Sequence, residues 1–294
     1  MFSLFFGSYL VKKNVITKEQ FDAVLEYQKT TRVKLGLIAV AENLLTTKQA
    51  DEVNQLQATM DKRFGDIAVE KGYLTDEQVG HLLSLQGNPY LLFTQSVVDK
   101  NILTLEQVNE QLEKYQSDHS FSSDDIDALK SGDIDLITPL FVKISEPYYY
   151  EYISLMVRNL VRFASTEIYF ENAYRTNSYS SEHMAIQELK GEHAIFVSLA
   201  GNQNALLKVA IPYGKEEFET VDEDSYDAVC EFINCVNGLF ASKLSHDNVD
   251  VDMLPPAFKD DAEITTENAF YVLPMTISGE RIDLVLAIDH TISL

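Results

Sequence analysis

An acidic and an amide side chain one helical turn apart form the most informative chemical feature of this sequence. Between Asp224 and Ala241, apolar residues recur with the period of a helix. At 100° per residue, one face carries four residues within about 60° of each other, namely Asp227, Glu231, Asn234 and Gly238. The opposite face is apolar, with Val229, Phe232, Ile233, Val236, Leu239 and Phe240. The sequence therefore predicts a helix over 222–244 that is buried on one face and presents a carboxylate and an amide to solvent.

Three poor helix formers lie in the middle of this helix, at Asn234, Asn237 and Gly238. Each costs up to about 1 kcal/mol relative to alanine. We expect them on the exposed face, where packing offers no compensation and where a broken local rule indicates function. The spacing Glu-x2-Asn also arises by chance in surface helices, so the chemistry depends on the surrounding sequence.

The spacing Asp227-x3-Glu231-x2-Asn234-x3-Gly238 resembles the signature helix of the CheC/CheX/FliY family of chemotaxis phosphatases. The segments 194–201 and 205–210 resemble the paired strands that precede this helix in the family. The similarity covers about residues 147–294. CheC-type members carry the signature twice, whereas the helix around 150–163 offers only Glu151-x2-Ser154 here. One site per chain is typical of CheX, and in that family it accompanies homodimers.

The resemblance implies dephosphorylation of a CheY-type response regulator. Asn234 is then the residue that positions the attacking water, since an amide cannot act as a base at neutral pH. Glu231 is implied to pair with the receiver's lysine, while Asp227 and Gly238 belong to the partner-binding face. No cofactor is expected in this chain, and Mg²⁺ is expected in the phosphorylated receiver. Two alternatives stay open: a non-catalytic receiver-binding adaptor, and a regulator that responds to cyclic di-GMP.

A second pattern fills the first half of the chain. Four threonines are spaced by 29 residues, each followed three residues later by glutamine, at Thr17, Thr46, Thr75 and Thr104. Thr-x-x-Gln is a capping box at a helix N-terminus, and a short apolar helix precedes each one, as in 35–40 and 64–69. A fixed period of this kind is typical of stacked helix-turn-helix units.

These repeats resemble the N-terminal domain of GspE- and MshE-type secretion ATPases, in which paired 24-residue motifs bind cyclic di-GMP. The segments 34–57 and 63–86 have that length. The resemblance implies a ligand site formed by Lys34, Gln57, Arg63 and Gln86. Repeat two departs from the motif, with Lys34 in place of arginine and Asn43 in place of glycine, and lysine does not replace an arginine fork. We therefore favour a docking or spacer role over nucleotide binding.

Together these patterns predict an α+β protein with two domains. Residues 1–117 are expected to form an all-α helix-turn-helix repeat domain, 118–146 a linker with one short helix, and 147–294 a CheX-like domain. The second domain is predicted as an antiparallel sheet with two long helices on one face. Its strands are expected near 167–174, 183–189, 194–200, 205–211, 249–254, 269–277 and 282–289.

Charge and cysteine usage restrict the partners and the compartment. The chain has a formal net charge of −23, and most of it lies after residue 118. Nucleic acid is therefore excluded as a partner, since it would be repelled. No run of residues is apolar enough to cross a membrane. Cys230 and Cys235 lie about 140° apart around the helix, so we expect both to stay reduced, as in the cytoplasm.

Overall fold

The computed structural model describes residues 1–60, 62–289 and 292. Within them the chain divides into two compact units, residues 2–132 and the part that begins at residue 133. The first unit is entirely helical and the second combines helices with an antiparallel sheet, so the α+β class is confirmed.

The first unit begins with four consecutive helix pairs. The first helices of the pairs are α1 (Phe2–Lys12), α3 (Leu35–Ala41), α5 (Phe64–Glu70) and α7 (Pro89–Asp99). The second helices are α2 (Lys18–Gln28), α4 (Thr47–Gln57), α6 (Asp76–Ser84) and α8 (Leu105–His119). All four predicted capping boxes are present. In each, the threonine hydroxyl accepts a hydrogen bond from the backbone N–H of the glutamine, and the glutamine side-chain oxygen accepts one from the backbone N–H of the threonine.

The turn inside each pair contains a residue with a left-handed backbone. These residues keep the 29-residue register, at Asn14, Asn43, Gly72 and Asn101, with φ between 54° and 69°. Asparagine tolerates this conformation better than other residues with a side chain. Asn43 therefore serves the same turn as Gly72, and its departure from the secretion-ATPase motif does not change the backbone.

Over 118–146, where the sequence predicts a linker with one short helix, the structure has two helices. The first, α9 (Ser123–Ser131), begins with a capping box between Ser122 and Asp125 and packs on α7 within the helical unit. The second, α10 (Ile134–Phe141), packs on the first long helix of the other unit, α11 (Tyr149–Phe163).

The remaining elements of the second unit alternate between sheet and helix. The strands are β1 (Ile168–Phe170), β2 (Tyr174–Gly191), β3 (Ile195–Gly201), β4 (Val251–Met253), β5 (Ala257–Ile277) and β6 (Glu280–Ile288). Between β3 and β4 come α12 (Gln203–Gly214) and α13 (Glu223–His246). Helix α13 is the predicted signature helix, within two residues at each end.

The prediction of a strand at 205–211 is wrong, because these residues form α12. Its apolar run fits a strand or a helix equally well. Asn202 favours the helix, because its side chain accepts a hydrogen bond from the N–H of Ala205 and so acts as the N-cap. Lys215 ends the helix in the left-handed region. The helical layer on the sheet therefore contains α12 in addition to the two predicted long helices.

Four antiparallel strands close on themselves. Strands β5, β6, β3 and β2 pair in that order, and β2 pairs again with β5. This closure depends on the length of β2 and β5, 18 and 21 residues, which exceeds that of the short strands predicted there. Side chains from all four strands form one buried cluster that includes Met184, Phe196, Phe270 and Val285. Because side chains alternate along a strand, Gln187 of β2 points to the other face, toward α13.

Candidate functional site on helix α13

Helix α13 has a well-defined start and a clear division into faces. Asp222 caps it, accepting from the N–H of Ser225, whose hydroxyl in turn accepts from the N–H of Asp222. Phe232, Ile233, Val236 and Phe240 are fully buried. Asp227, Glu231 and Asn234 are exposed, and Gly238 is half-buried. The sequence thus located the exposed row of the helix correctly.

The carboxylates of this row are unpaired. Neither Asp227 nor Glu231 makes a side-chain hydrogen bond or an ion pair with the residues that the structure describes. Burying such a carboxylate without a cation would be costly. The row can therefore accept a basic group from another molecule without first breaking an internal ion pair.

Asn234 differs, because its side chain is already held. Its Oδ1 accepts a hydrogen bond of 2.7 Å from Nε2 of Gln187 on β2. The same Nε2 donates to the carbonyl of Leu254, at 2.8 Å. Gln187 is 1% exposed, so the exposed amide of Asn234 is connected to a buried one.

The expectation that Asn237 is exposed is wrong. Its side chain is fully buried, with Nδ2 donating to Oε1 of Gln187 at 2.8 Å and Oδ1 accepting from the Tyr152 hydroxyl at 2.6 Å. Burial raises the pKa of Tyr152 well above its usual range, so the phenol keeps its proton and remains a donor. Asn237 is therefore tolerated in mid-helix because these hydrogen bonds compensate its poor helix propensity.

Gln187 is the residue of this group that sequence reasoning missed. The period-two pattern of β2 contains the signal, because Ala185 and Leu189 on the same face are fully buried and a polar residue stands between them. A buried amide in an apolar row needs hydrogen-bond partners.

Two further positions on α13 refine the predicted faces. Leu239 was expected in the core, but it is 48% exposed, because it lies at the margin of the apolar arc. A Cβ atom built at Gly238 would meet only Sδ of Met253, at 3.9 Å, an ordinary contact. The packing of this chain therefore does not require glycine at 238.

The long helix α11 has a glutamate and a serine at the spacing of the signature pair, in different surroundings from those on α13. Glu151 forms an ion pair with Lys243, and Ser154 is buried, with no hydrogen-bond partner for its hydroxyl among the described residues.

The thiol of Cys230 on α13 is unsuited to nucleophilic chemistry. Cys230 is buried, and this burial, together with the charge of nearby Asp227, raises the pKa of its thiol to about 11. A thiol of this kind is protonated at neutral pH and a poor nucleophile.

In the described part of the chain, no cluster of three or more His, Cys, Asp or Glu is arranged to hold a metal ion. Nor does that part contain a helix both long and apolar enough to span a membrane.

The helical unit contains a separate cavity of about 690 Å³. Three of the four predicted ligand residues line it: Lys34, Gln57 and Arg63. The fourth, Gln86, is not in the lining, and its Nε2 donates to the carbonyl of Val33 at 2.9 Å. Lys34 is paired with Asp99 at 2.8 Å, whereas Arg63 has no ion pair among the described residues.

A segment of the second unit matches a known protein family. The sequence profile of the family described as Chemotaxis phosphatase CheX matches residues 183–277, about a third of the chain. This segment includes Gln187, Glu231 and Asn234. A comparison with curated proteins finds no match. The second unit therefore contains a CheX-like segment, while the resemblance of the helical unit to secretion ATPases stays a prediction.

Solved chemotaxis proteins are similar to about half of the chain. Chemotaxis protein CheX from Vibrio vulnificus is 15% identical with a TM-score of 0.43, over 49% of this chain and 99% of that one. A CheC-like protein from Shewanella oneidensis is 16% identical with a TM-score of 0.43, over 48% and 97%. CheX from Borrelia burgdorferi, solved with CheY, BeF3 and Mg²⁺, is 18% identical with a TM-score of 0.38, over 49% and 98%.

Proposed function

We propose that the second unit hydrolyses the aspartyl-phosphate of a CheY-type response regulator. The observation that carries this proposal is the exposed pair Glu231 and Asn234, one turn apart on α13, inside a segment that matches the CheX profile. The unpaired carboxylate of Glu231 is available to a basic group of the receiver. The amide of Asn234 is held in one place and can order a water molecule.

The reaction requires little chemistry from this chain. A water oxygen attacks phosphorus in line with the leaving aspartate oxygen, the P–O bond breaks, and the products are free phosphate, a restored aspartate and a proton released to solvent. The receiver supplies Mg²⁺ and a lysine that stabilise the developing charge. What remains is positioning of the water, to which an ordered amide contributes by removing orientational freedom.

The test is phosphate release from a panel of acetyl-phosphate-loaded receivers. We expect one or more receivers to lose phosphate faster when the protein is added. Receivers that bind the protein with no acceleration would leave the adaptor function in place of the phosphatase. The homodimer implied by the resemblance and the cytoplasmic location expected from the reduced cysteines stay predictions, and light scattering at high protein concentration tests the first.

Gly238→Ala should separate docking from folding. The added methyl group meets only Met253 within this chain, and alanine stabilises a helix by roughly 0.5–1 kcal/mol over glycine. We therefore expect a slightly raised melting temperature with weaker binding to the phosphorylated receiver, because a docked backbone would meet the new methyl group. Gly80→Ala is the matched control: Gly80 lies in α6, and its Cβ would meet nothing within 4 Å. Unchanged receiver binding by Gly238→Ala would remove Gly238 from the interface.

A second candidate function concerns the cavity of the helical unit. Three of the four residues implied by the resemblance to cyclic di-GMP-binding motifs line one cavity, namely Lys34, Gln57 and Arg63, whereas Gln86 does not. The guanidinium of Arg63 lies at the cavity wall without an ion pair among the described residues, and such a group suits a phosphate. We propose cyclic di-GMP as its ligand, with Asp66 in the lining opposing anion binding.

Titration calorimetry with cyclic di-GMP decides this candidate. Arg63→Ala should weaken binding about tenfold or more, since a charge-assisted contact to phosphate is lost. Arg32→Ala, which removes an exposed arginine outside the cavity lining, should bind like the wild type. Absence of heat with the wild-type protein at high micromolar ligand would exclude the candidate.

A further inference from the structure

A chain of side-chain hydrogen bonds connects the exposed site on α13 to the protein interior. It runs from Tyr152 through Asn237 and Gln187 to Asn234, with each donor–acceptor distance between 2.6 and 2.8 Å. The first three of these side chains are at most 1% exposed. Their polar atoms have no access to solvent, so the hydrogen bonds of the chain are strongly favoured over any arrangement that leaves one unpaired.

One backbone carbonyl fixes the direction of the whole chain. The carbonyl of Leu254 can only accept, so the atom of Gln187 that faces it must be the amide nitrogen Nε2. The second hydrogen of Nε2 then requires an acceptor, which makes the facing atom of Asn234 its oxygen Oδ1. Gln187 Oε1 in turn requires a donor and receives Nδ2 of Asn237. The donor and acceptor requirements of the hydrogen-bond network thus determine which atom of each amide is oxygen and which is nitrogen.

The orientation of Asn234 has a direct chemical meaning. Rotation of its amide by 180° would exchange a donor for an acceptor at the surface of α13. In the orientation that Gln187 imposes, Nδ2 of Asn234 has no hydrogen-bond partner among the described residues, and Oδ1 keeps one further lone pair. An exposed asparagine without this contact would populate several rotamers, and ordering it at docking would cost conformational entropy.

We propose that Gln187 is a positioning residue that sets the rotamer and the amide polarity of Asn234 before a receiver docks. This inference rests on the proposed phosphatase function of Asn234. Gln187 touches neither the water nor the phosphate, and its whole effect is transmitted through one hydrogen bond. Asn237 and Tyr152 hold Gln187 in place from the opposite side.

Gln187→Leu removes all three hydrogen bonds of the Gln187 side chain, two donated and one accepted, while nearly preserving side-chain volume. Gln187→Glu is a second variant: its carboxyl group can still accept from Asn237, but it supplies at most one hydrogen where the amide supplies two. We expect the maximal rate of phosphate release to fall about tenfold or more in both. The KM for the phosphorylated receiver should stay within about twofold, because Gln187 makes no contact with the partner.

The matched control is Ser198→Ala on β3, which faces the opposite side of the sheet. Its hydroxyl is buried and has no hydrogen-bond partner within the described part of the chain, so its loss perturbs the sheet without breaking the chain to Asn234. This variant should keep the wild-type rate.

A double variant separates positioning from a general loss of structure. In the Asn234→Ala background, Gln187→Leu should cause no further loss of rate, since a residue that acts through Asn234 has nothing left to orient. A further loss of rate in the double variant would overturn the proposal and leave the phosphatase function intact. An unchanged maximal rate in both Gln187→Leu and Gln187→Glu would do the same.

Side-chain amide NMR makes the test independent of catalysis. In the wild type, the Nδ2 protons of Asn234 should give dispersed signals that report one ordered rotamer, and Gln187→Leu should shift them toward the values of a freely rotating amide. Asn234 signals that do not respond to Gln187→Leu would overturn the proposal. Absence of phosphate release by the wild type would instead refute the proposed function, with the NMR result still deciding whether Gln187 orders Asn234.

Discussion

Asn234→Ala is expected to reduce phosphate release by roughly a hundredfold, because an unpositioned water loses the geometric advantage of the bound state. Binding to the phosphorylated receiver should be retained, since orientation of the water contributes mainly in the transition state. The side chain is exposed, so the domain should remain folded. The measurements are single-turnover phosphate release and the dissociation constant for the receiver loaded with a phosphate mimic.

The fold sets a sharp control for this variant. Ser154 occupies the corresponding step of α11, three residues after Glu151, but it is buried. Ser154→Ala should therefore leave phosphate release unchanged. Equal release by the wild type and Asn234→Ala, with receivers that bind both proteins, would exclude the phosphatase function and favour the non-catalytic adaptor function.

Glu231→Ala is expected to act on binding. The carboxylate of Glu231 has no ion-pair or hydrogen-bond partner among the residues that the structure describes, so pairing with a receiver lysine breaks none of the described contacts. Loss of one member of a desolvated charge pair costs about 2–5 kcal/mol, which corresponds to a decrease in affinity of roughly thirtyfold or more. Titration calorimetry with the phosphate-mimic-loaded receiver measures this loss directly.

Glu151→Ala provides the matched control. Glu151 lies on the exposed side of α11 and pairs with Lys243, and exposed pairs of this type contribute little to stability. Its loss should leave receiver affinity unchanged. If Glu231→Ala binds as tightly as the wild type while Asn234→Ala is inactive, the site would function without the proposed anchor.

The sequence predicted the exposed row of α13 because a helix of 24 residues offers several turns of unambiguous periodicity. Its margins were less certain: Leu239, at the edge of the apolar arc, is exposed, and Asn237 is buried. Helical angle alone does not reveal that Tyr152 and Gln187 provide hydrogen bonds for a buried amide. Such partners come from elements distant in sequence.

The same limit explains the misassigned segment 205–211. Periodicity over the seven residues 205–211, six of them apolar, does not separate strand from helix, and the cap at Asn202 favours the helix. In the helical unit, by contrast, Thr17 and Gln20 satisfy each other's backbone within four residues. Hydrogen bonds between residues close in sequence can be predicted from a sequence motif, so the capping boxes were predictable. The length of β2 was not, because it depends on pairing with the distant strand β5.

The closed circuit of β2, β3, β6 and β5 has a consequence for how fast the second unit acquires its structure. Pairing of β2 with β5 joins residues about 70 to 100 positions apart, from Ile186 with Ala257 to Tyr174 with Val272. The loss of chain entropy on closing such long loops precedes the gain from contacts, and folding rates fall as contacts become less local. In the first unit, helices that follow one another in sequence pack together, while α1 and α2 also pack on the more distant α7. We therefore expect refolding in two phases, with helical signal recovered first and the buried strand cluster formed last.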